Sequence, residues 1–146
     1  MALSADVIYT SASDVVQSVP AVNGDVLYAG ALIGINSAGY AAPWDDVANM
    51  MFIGVCMKQV TGDTSASPVP EANINTSGMI LKQATIGNAS SQTDVGILVY
   101  ATDDNTFTLS STSNVNAVGR VSRWYQSTTC DIDLFTPSEY AVISET

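Results

Sequence analysis

Short apolar runs separated by glycine, asparagine, aspartate and proline recur along this chain of 146 residues. Wherever the hydrophobic positions are clearly periodic, their period is two, as in residues 130–134, where apolar and acidic side chains alternate. A period of two is typical of strands, so the sequence predicts an all-β fold, a small barrel or sandwich, with helix only in short stretches. Strands are predicted at residues 26–28, 31–35, 40–42, 51–57, 79–84, 95–100, 107–109, 118–121 and 130–134.

The strongest of these predicted strands is residues 51–57, which are apolar at successive positions and flanked by polar ones. Residues 95–135 are the most compact series, because strands and turns follow one another with almost no intervening residues. The sequence Asp103, Asp104, Asn105 predicts a hairpin turn within this series, since these side chains bond their own backbone. We expect the series to form a rigid surface rather than a reaction site.

The N-terminal residues 1–22 contain one short apolar run, Val7, Ile8 and Tyr9, and predict an extended arm. A first strand of the core is an equal alternative, because Val7 and Tyr9 would share one face of a strand and Ile8 the other. A chain of this length typically forms one core. The prediction is therefore an arm, residues 1–22, followed by a single β domain, residues 23–146.

Two other segments differ from the strand pattern. Residues 61–75 contain Gly62, Pro68 and Pro70 among serines and threonines, and predict a long surface loop. The tail, residues 137–146, is predicted to add an edge strand or to reach a neighbouring chain.

Charge limits the partners of this chain. Fourteen acidic residues against four basic ones give a net charge of −10, which repels phosphate backbones and anionic lipid surfaces. We therefore expect neither nucleic acid nor membrane as a partner. The first residues lack the basic start and apolar run of a secretory signal, so synthesis and retention in a cytoplasm are expected.

The sequence contains no histidine, which excludes Ser-His-Asp and Cys-His catalytic sites. Asp131 and Asp133 lie two positions apart, and a solvated acidic strand face explains them better than calcium binding or acid–base catalysis. Cys56 and Cys130 are far apart in sequence and are predicted to be buried, unpaired residues. We predict no enzyme activity, no cofactor and no metal.

Outside the arm, the candidates for contact with another subunit or another partner are Trp44, Arg120 and Arg123. Trp44 precedes Asp45 and Asp46, which suggests either a sugar-binding corner or an anchor packed on the domain or on a neighbouring chain. Arg120 and Arg123 are the only arginines, and we expect them to pair with Asp131 or Asp133 across a sheet or to anchor an interface.

Several short β segments punctuated by glycine occur in one particular order. They are residues 23–35, 38–41, 52–55, 99–104, 107–109, 118–121 and 131–134. In this order the chain, from about residue 23 to residue 135, resembles the head decoration, or capsid cement, proteins of tailed bacteriophages. The likeness lies in the succession of segments and not in a single motif.

The resemblance implies a β-rich structural protein of the virion that is not an enzyme. Such proteins bind the outside of the expanded head, commonly as trimers, with a dimer as the alternative, and clamp neighbouring major capsid subunits. The chain is then made in the bacterial cytoplasm, and its N-terminal arm, with Val7, Ile8 and Tyr9, is expected to contact the shell by strand addition. The alternative function is a receptor-binding or carbohydrate-binding β module of a phage tail or fibre, based on Trp44.

Overall fold

The computed structural model describes residues 16–112 and 115–144, without the side chains of residues 143 and 144. The described chain is mostly β, which confirms the predicted fold class. Its elements in chain order are β1 (Val16–Pro20), β2 (Val26–Leu27), β3 (Leu32–Ile35), β4 (Ala41–Pro43), β5 (Met51–Cys56), β6 (Val60–Thr61), β7 (Glu71–Asn75), β8 (Ile80–Thr85), a 3₁₀ turn (Gln92–Asp94), β9 (Leu98–Ala101), β10 (Phe107–Thr108), β11 (Gly119–Gln126), β12 (Thr129–Leu134) and α1 (Pro137–Ser144).

Most of the strands belong to two antiparallel, five-stranded sheets. Sheet 1 has the order β1-β7-β5-β3-β4, sheet 2 has the order β10-β9-β11-β12-β8, and β2 pairs separately with β6. Both sheets curl until their edges touch at one end. Ala21, after β1, bridges Ala41 in β4, and Ile86, after β8, bridges Phe107 in β10. Each sheet is therefore a partly closed barrel.

The centre of sheet 1, at β3 and β5, is buried on both faces, which explains the unbroken apolar run in β5. Phe52 and Val55 pack in the cluster that sheet 1 shares with sheet 2, whereas Ile53 and Cys56 pack in a second cluster with Leu27 of β2. Full burial of an aliphatic or aromatic side chain contributes about 1.5–3 kcal/mol. The prediction that β5 is a core strand is confirmed.

The predicted surface loop at residues 61–75 is wrong in its last third. Residues 71–75 form β7, in which Ala72 and Ile74 are buried and their neighbours are not. The prolines that suggested a loop lie before this strand and do not interrupt it. The alternation of Ala72 and Ile74 with polar residues was the strand signal that the prolines obscured.

The tail is the helix α1 and not an edge strand. Pro137 occupies its first position, where the missing N–H of proline costs nothing. The Thr136 Oγ1 accepts a hydrogen bond from the Glu139 N–H at 3.2 Å, and Glu139 Oε1 accepts one from the Thr136 N–H at 2.9 Å. This reciprocal capping box begins the helix. Tyr140 is the helix residue that packs in the core.

The boundary predicted between arm and domain also changes. β1 pairs along its whole length with β7, from Val16 opposite Asn75 to Pro20 opposite Glu71. Residues 16–22 are therefore part of the β domain. Val7, Ile8 and Tyr9 lie outside the described residues.

Candidate interaction surfaces

Trp44 lies inside the protein, with 1% of its side chain exposed. Its indole N–H donates a hydrogen bond to the carbonyl oxygen of Ala101 in β9 at 2.9 Å. Its ring system packs edge-on against Phe52 and Tyr140, with centroid distances of 5.5 and 5.9 Å. An indole held in this way is not available to stack on a sugar or to contact a partner. Of the alternatives predicted for Trp44, the structure shows the anchor packed on its own domain, and the carbohydrate-binding alternative loses the aromatic residue on which it was based.

Residues 16–112 and 115–144 contain no group of three or more acidic or cysteine side chains arranged to hold a metal ion. In the same part of the chain, no helix is long and apolar enough to span a bilayer. Cys56 and Cys130 are buried and free, which confirms their prediction. Burial raises the pKa of both thiols, so neither has the character of a reactive cysteine.

Positive charge is concentrated on the outer face of sheet 2. Three of the four basic residues of the chain lie there, namely Lys82 in β8 and Arg120 and Arg123 in β11. Arg120 lies between the buried residues Gly119 and Val121, so its side chain points away from the core. A bulge after Val121 then returns Arg123 to the same outer face.

Two of these cations belong to a network around Asp131, which we call the cationic cluster (Lys82, Arg123, Tyr125 and Asp131). Asp131 accepts hydrogen bonds from the Tyr125 hydroxyl at 2.9 Å, the Lys82 ammonium at 3.3 Å and the backbone N–H of Gln83 at 2.8 Å. The Arg123 guanidinium lies over the Tyr125 ring, 4.6 Å from its centroid. The cluster therefore holds Tyr125 between a cation on its face and a carboxylate at its hydroxyl.

The predicted pairing of the arginines with the acids is only partly observed. The strand register does place Arg123 opposite Asp131 and Arg120 opposite Asp133. The ion pair of Asp131, however, is formed with Lys82, whose side chain remains 70% exposed. The guanidinium of Arg123 is therefore not part of this ion pair.

The carboxylate of Asp131 is well covered, with only 3% of its side chain exposed. Desolvation raises its pKa, but the hydrogen bonds from Gln83, Tyr125 and Lys82 together outweigh this, and the pKa of Asp131 lies below its ordinary value. Asp131 is consequently ionised at neutral pH and fixes the positions of the groups around it. The role of this residue is structural support of the surface.

Arg120 extends the cationic face toward α1. Its Nη1 donates to the Gly96 carbonyl oxygen at 3.1 Å, and its guanidinium lies 6.0 Å from the centroid of the Phe135 ring. A groove of about 350 Å³ is lined by Arg120, Phe135, Glu139 and Val142. The side chain of Val142 in this groove is 63% exposed.

Negative charge is concentrated where sheets 1 and 2 meet, at a place that we call the acidic cleft. Its volume is about 470 Å³, and the carboxylates of Asp25, Asp45, Asp103 and Asp104 line it. The backbones of Asp45 and Asp103 form an isolated antiparallel bridge, so the acidic pairs 45–46 and 103–104 come together in space. The sequence showed the two pairs as separate features, a corner beside Trp44 and a hairpin turn.

The individual carboxylates of the cleft differ in how they are held. Asp103 accepts hydrogen bonds from the Asn105 N–H at 2.8 Å and the Thr106 hydroxyl at 3.1 Å, which confirms it as a turn residue. Asp104 is half-buried beside it. Desolvation and the neighbouring charge of Asp103 raise the pKa of Asp104, so a cation placed in the cleft would relieve an unfavourable charge.

The acidic cleft and the cationic cluster are related by the closure of sheet 2. Lys82 lies four residues before Ile86, and Asp103 lies four residues before Phe107. Because the bridge between Ile86 and Phe107 is parallel, both residues lie on the same side of it along their strands.

Comparison with protein-family models and with curated protein sequences gave no match. The molecule is described by its own geometry, an all-β protein of two partly closed sheets with a cationic cluster and an acidic cleft.

Sequence reasoning found Arg120 and Arg123 but missed two other members of these surfaces. Lys82 was treated only as part of a predicted strand, because a lone lysine carries no sequence signal for a partner 49 residues away. Tyr125 was missed because the predicted strand ended at residue 121, whereas β11 continues to Gln126. Extending that strand would have placed Tyr125 on the same face as Arg123.

Proposed function

We propose that this chain is a structural decoration, or cement, protein of a tailed-bacteriophage head. In this role it binds the outer surface of the expanded shell, stabilises contacts between major capsid subunits and acts as a homo-oligomer. It is made in the bacterial cytoplasm and ends on the outer capsid surface. The proposal assigns it no enzymatic step, cofactor, nucleic acid or membrane.

The observation that carries the proposal is the edge of sheet 1 at β1, which pairs with no further strand among residues 16–112 and 115–144. β1 is the terminal strand of its sheet and pairs on one side with β7. Its far end is bridged to β4 through Ala21, but Val16, Gln17 and Ser18 are exposed. An exposed strand edge is a site where another extended chain adds by backbone hydrogen bonds. Residues 1–15, which precede Val16 directly, join the domain at this edge.

The proposed partner for this edge is an extended segment of a major capsid subunit. A single added strand gives modest affinity, because three to five backbone bonds must offset the ordering of both chains. A shell repeats its sites, and an oligomer engages several at once. Linked sites raise the apparent affinity by about 10²–10⁴-fold without any new contact. Modest individual contacts then suffice for stable attachment.

The distribution of charge is consistent with a place outside the shell. A net charge of −10 opposes contact with packaged DNA and favours the solvent-facing side. The resemblance to decoration proteins supports the same role.

The test is co-sedimentation with expanded heads assembled from the major capsid protein of the same phage. The full chain is expected to saturate the heads at a fixed number of copies, and a variant lacking residues 1–15 is expected to remain folded and to lose most of this binding. A full chain that fails to bind expanded heads would contradict the decoration function. Saturation by the truncated variant would contradict only the attachment through this edge.

A point variant tests the edge itself. Lysine on an edge strand opposes the addition of another strand, so Gln17→Lys is expected to weaken head binding by roughly tenfold, or about 1.4 kcal/mol. Gln59→Lys, an identical change at another exposed position, is the control and is expected to leave binding unchanged. Equal effects of the two variants would show that the added charge and not the edge is responsible.

A further inference from the structure

We propose that residues 6–9 of this chain pack in the groove beside α1 of the same copy. The segment consists of Asp6, Val7, Ile8 and Tyr9. The groove is lined by Arg120, Phe135, Ser138, Glu139 and Val142. This inference goes beyond the proposed function, because it concerns the free chain and requires no shell.

The groove beside α1 suits a short apolar segment. Ser138 and Val142 lie one helical turn apart on α1, and Phe135 directly follows β12. Val142 is the most exposed large apolar side chain among the described residues. The groove volume of about 350 Å³ is near the lower end of the range for small-molecule sites, about 300–1,000 Å³. The groove therefore accommodates a few side chains rather than the surface of a folded partner.

The N-terminal segment leads toward this groove. Strands β1 and β7 are antiparallel, and Val16 pairs with Asn75, so the chain before Val16 continues past the residues that follow Asn75. Among these residues, Gly78 packs against Thr136, which immediately precedes α1. A Cβ at Gly78 would lie 3.1 Å from the methyl carbon of Thr136.

The segment is also long enough to reach the groove of its own copy. The path from Val16 to Thr136 crosses one strand pairing of about 5.5 Å, three residues of chain and one side-chain contact, which together give at most roughly 25 Å. The nine residues from Val7 to Val16 span up to about 30 Å when extended. Val7 therefore reaches the groove even at this upper limit.

The charges of the groove and of the segment are complementary. Arg120 Nη1 donates to the Gly96 carbonyl oxygen, which leaves other N–H groups of the guanidinium for a carboxylate. Among the described residues, no carboxylate forms an ion pair with Arg120. The Glu139 carboxylate accepts the Thr136 N–H at the start of α1. Asp6 immediately precedes the apolar run and supplies the carboxylate that pairs with Arg120.

One side of the segment enters the groove. In an extended segment, Val7 and Tyr9 point to one side and Ile8 to the other. Because the segment arrives from the start of α1, Tyr9 lies nearer Phe135 and Val7 nearer Val142. Docking removes the apolar area of both surfaces from water.

The test is disulfide formation in the purified full chain carrying Val7→Cys and Val142→Cys. Cys56 and Cys130 are buried and free, so the introduced pair reacts alone under mild oxidation with glutathione disulfide. This pair is expected to join within one chain, at monomer mass, roughly tenfold or more faster than the control pair Val7→Cys with Val47→Cys. Val47 is exposed but lines the acidic cleft and not this groove.

Charge reversal tests the pairing of Asp6 with Arg120 in the same assay. Arg120→Glu and Asp6→Arg are each expected to slow disulfide formation by roughly fivefold or more, and the two together are expected to return it to within roughly threefold of the starting rate. Lys58→Glu makes the same change of charge at an exposed position outside the groove and is expected to have little effect. Circular dichroism confirms that each variant folds.

The chain without introduced cysteines gives an independent readout. Chymotrypsin cleavage after Tyr9 follows the population of undocked segments when docking is fast relative to cleavage. Val142→Gln is expected to speed this cleavage by roughly fivefold, whereas Val47→Gln is expected to leave it unchanged.

Four results would each overturn the proposal. They are equal rates for the two cysteine pairs, a disulfide between two chains, a double charge variant that fails to recover, and equal effects of Val142→Gln and Val47→Gln on cleavage. A disulfide between two chains would place the segment of a second copy in the groove. All of these measurements are made without heads, so failure of the full chain to bind heads contradicts the decoration function and leaves this inference unaffected.

Discussion

The indole N–H of Trp44 and the carbonyl oxygen of Ala101 are joined by a hydrogen bond of 2.9 Å across 57 residues of sequence. Trp44 follows the last strand of sheet 1, and Ala101 ends a strand of sheet 2. The bond is buried and lies beside the acidic cleft that Trp44 also lines. It therefore couples the packing of the two sheets to the shape of the cleft.

Replacing Trp44 is expected to test this coupling. Trp44→Phe removes the N–H and leaves the buried Ala101 carbonyl without its donor, which costs about 1–3 kcal/mol in addition to the lost volume. The matched control is Trp124→Phe, since Trp124 is only partly buried and its N–H bonds Ser127 three residues away. In urea unfolding, Trp44→Phe should show a large fall in the midpoint. Trp124→Phe should lose less than about 1 kcal/mol of unfolding free energy. Similar losses in both would mean that the inter-sheet bond contributes little.

Asp131 is expected to make stability depend on pH in the acid range. Because its pKa in the folded protein lies below the ordinary value of 3.8, the ionised carboxylate stabilises the fold above that value, and this contribution is lost as the pH falls through the lower folded pKa. Asp131→Asn should therefore cost about 1–3 kcal/mol at pH 7, and its deficit should shrink below about pH 3.8.

The control for Asp131 is Asp133→Asn, an exposed carboxylate two residues along the same strand. It is expected to change stability by no more than about 0.5 kcal/mol at pH 7. Measurement is by urea titration at several pH values. A deficit of Asp131→Asn that stays constant between pH 7 and pH 3 would contradict the role of its ionised form.

Gly54 is expected to be intolerant of any side chain. A Cβ at this position would collide with the carbonyl oxygen of Asn75 in the neighbouring strand β7. Since the backbone of β7 is fixed on its other side by β1, Gly54→Ala is expected to cost at least about 1–3 kcal/mol. Gly87→Ala, where no atom lies within 4 Å of the added Cβ, should fall within about 0.5 kcal/mol of the original protein. Thermal melting of the two variants compares them directly, and equal melting temperatures would show that β7 moves aside.

The two cysteines are expected to be unreactive until the protein unfolds. Cys56 and Cys130 belong to different core clusters, and desolvation raises the pKa of each thiol. A thiol reagent such as Ellman's reagent should label neither residue in the native protein and both in denaturant. The melting temperature should be the same with and without reductant. Rapid labelling of the native protein would show that one of the two clusters opens readily.

The all-β fold followed from local chemistry that the sequence displays directly. The alternation of residues 130–134 and the unbroken apolar run in β5 are each set by how many faces of a strand are buried. The helix α1 was also encoded, in Pro137 and the capping pair of Thr136 and Glu139, but these signals were outweighed by the expectation of strands.

The candidate surfaces were less accessible to sequence reasoning. Arg120 and Arg123 were recognised because they are the only arginines, whereas the sequence left open whether Trp44 packs on its own domain, contacts a neighbouring chain or binds a sugar. A tryptophan beside two acids has the same sequence signature in either position. Whether it is buried depends on Ala101, Phe52 and Tyr140, which are remote along the chain.

The sequence alone determined the class of fold, the acidic character and the absence of histidine chemistry, because strand periodicity, charge and residue type are properties of neighbouring residues or of simple counts. Tertiary structure alone decided which charges share a surface. It brought Asp45 beside Asp103 and Lys82 beside Asp131. Strand order and register determine which residues become neighbours. Both are set by long-range packing, which no local pattern of residues records.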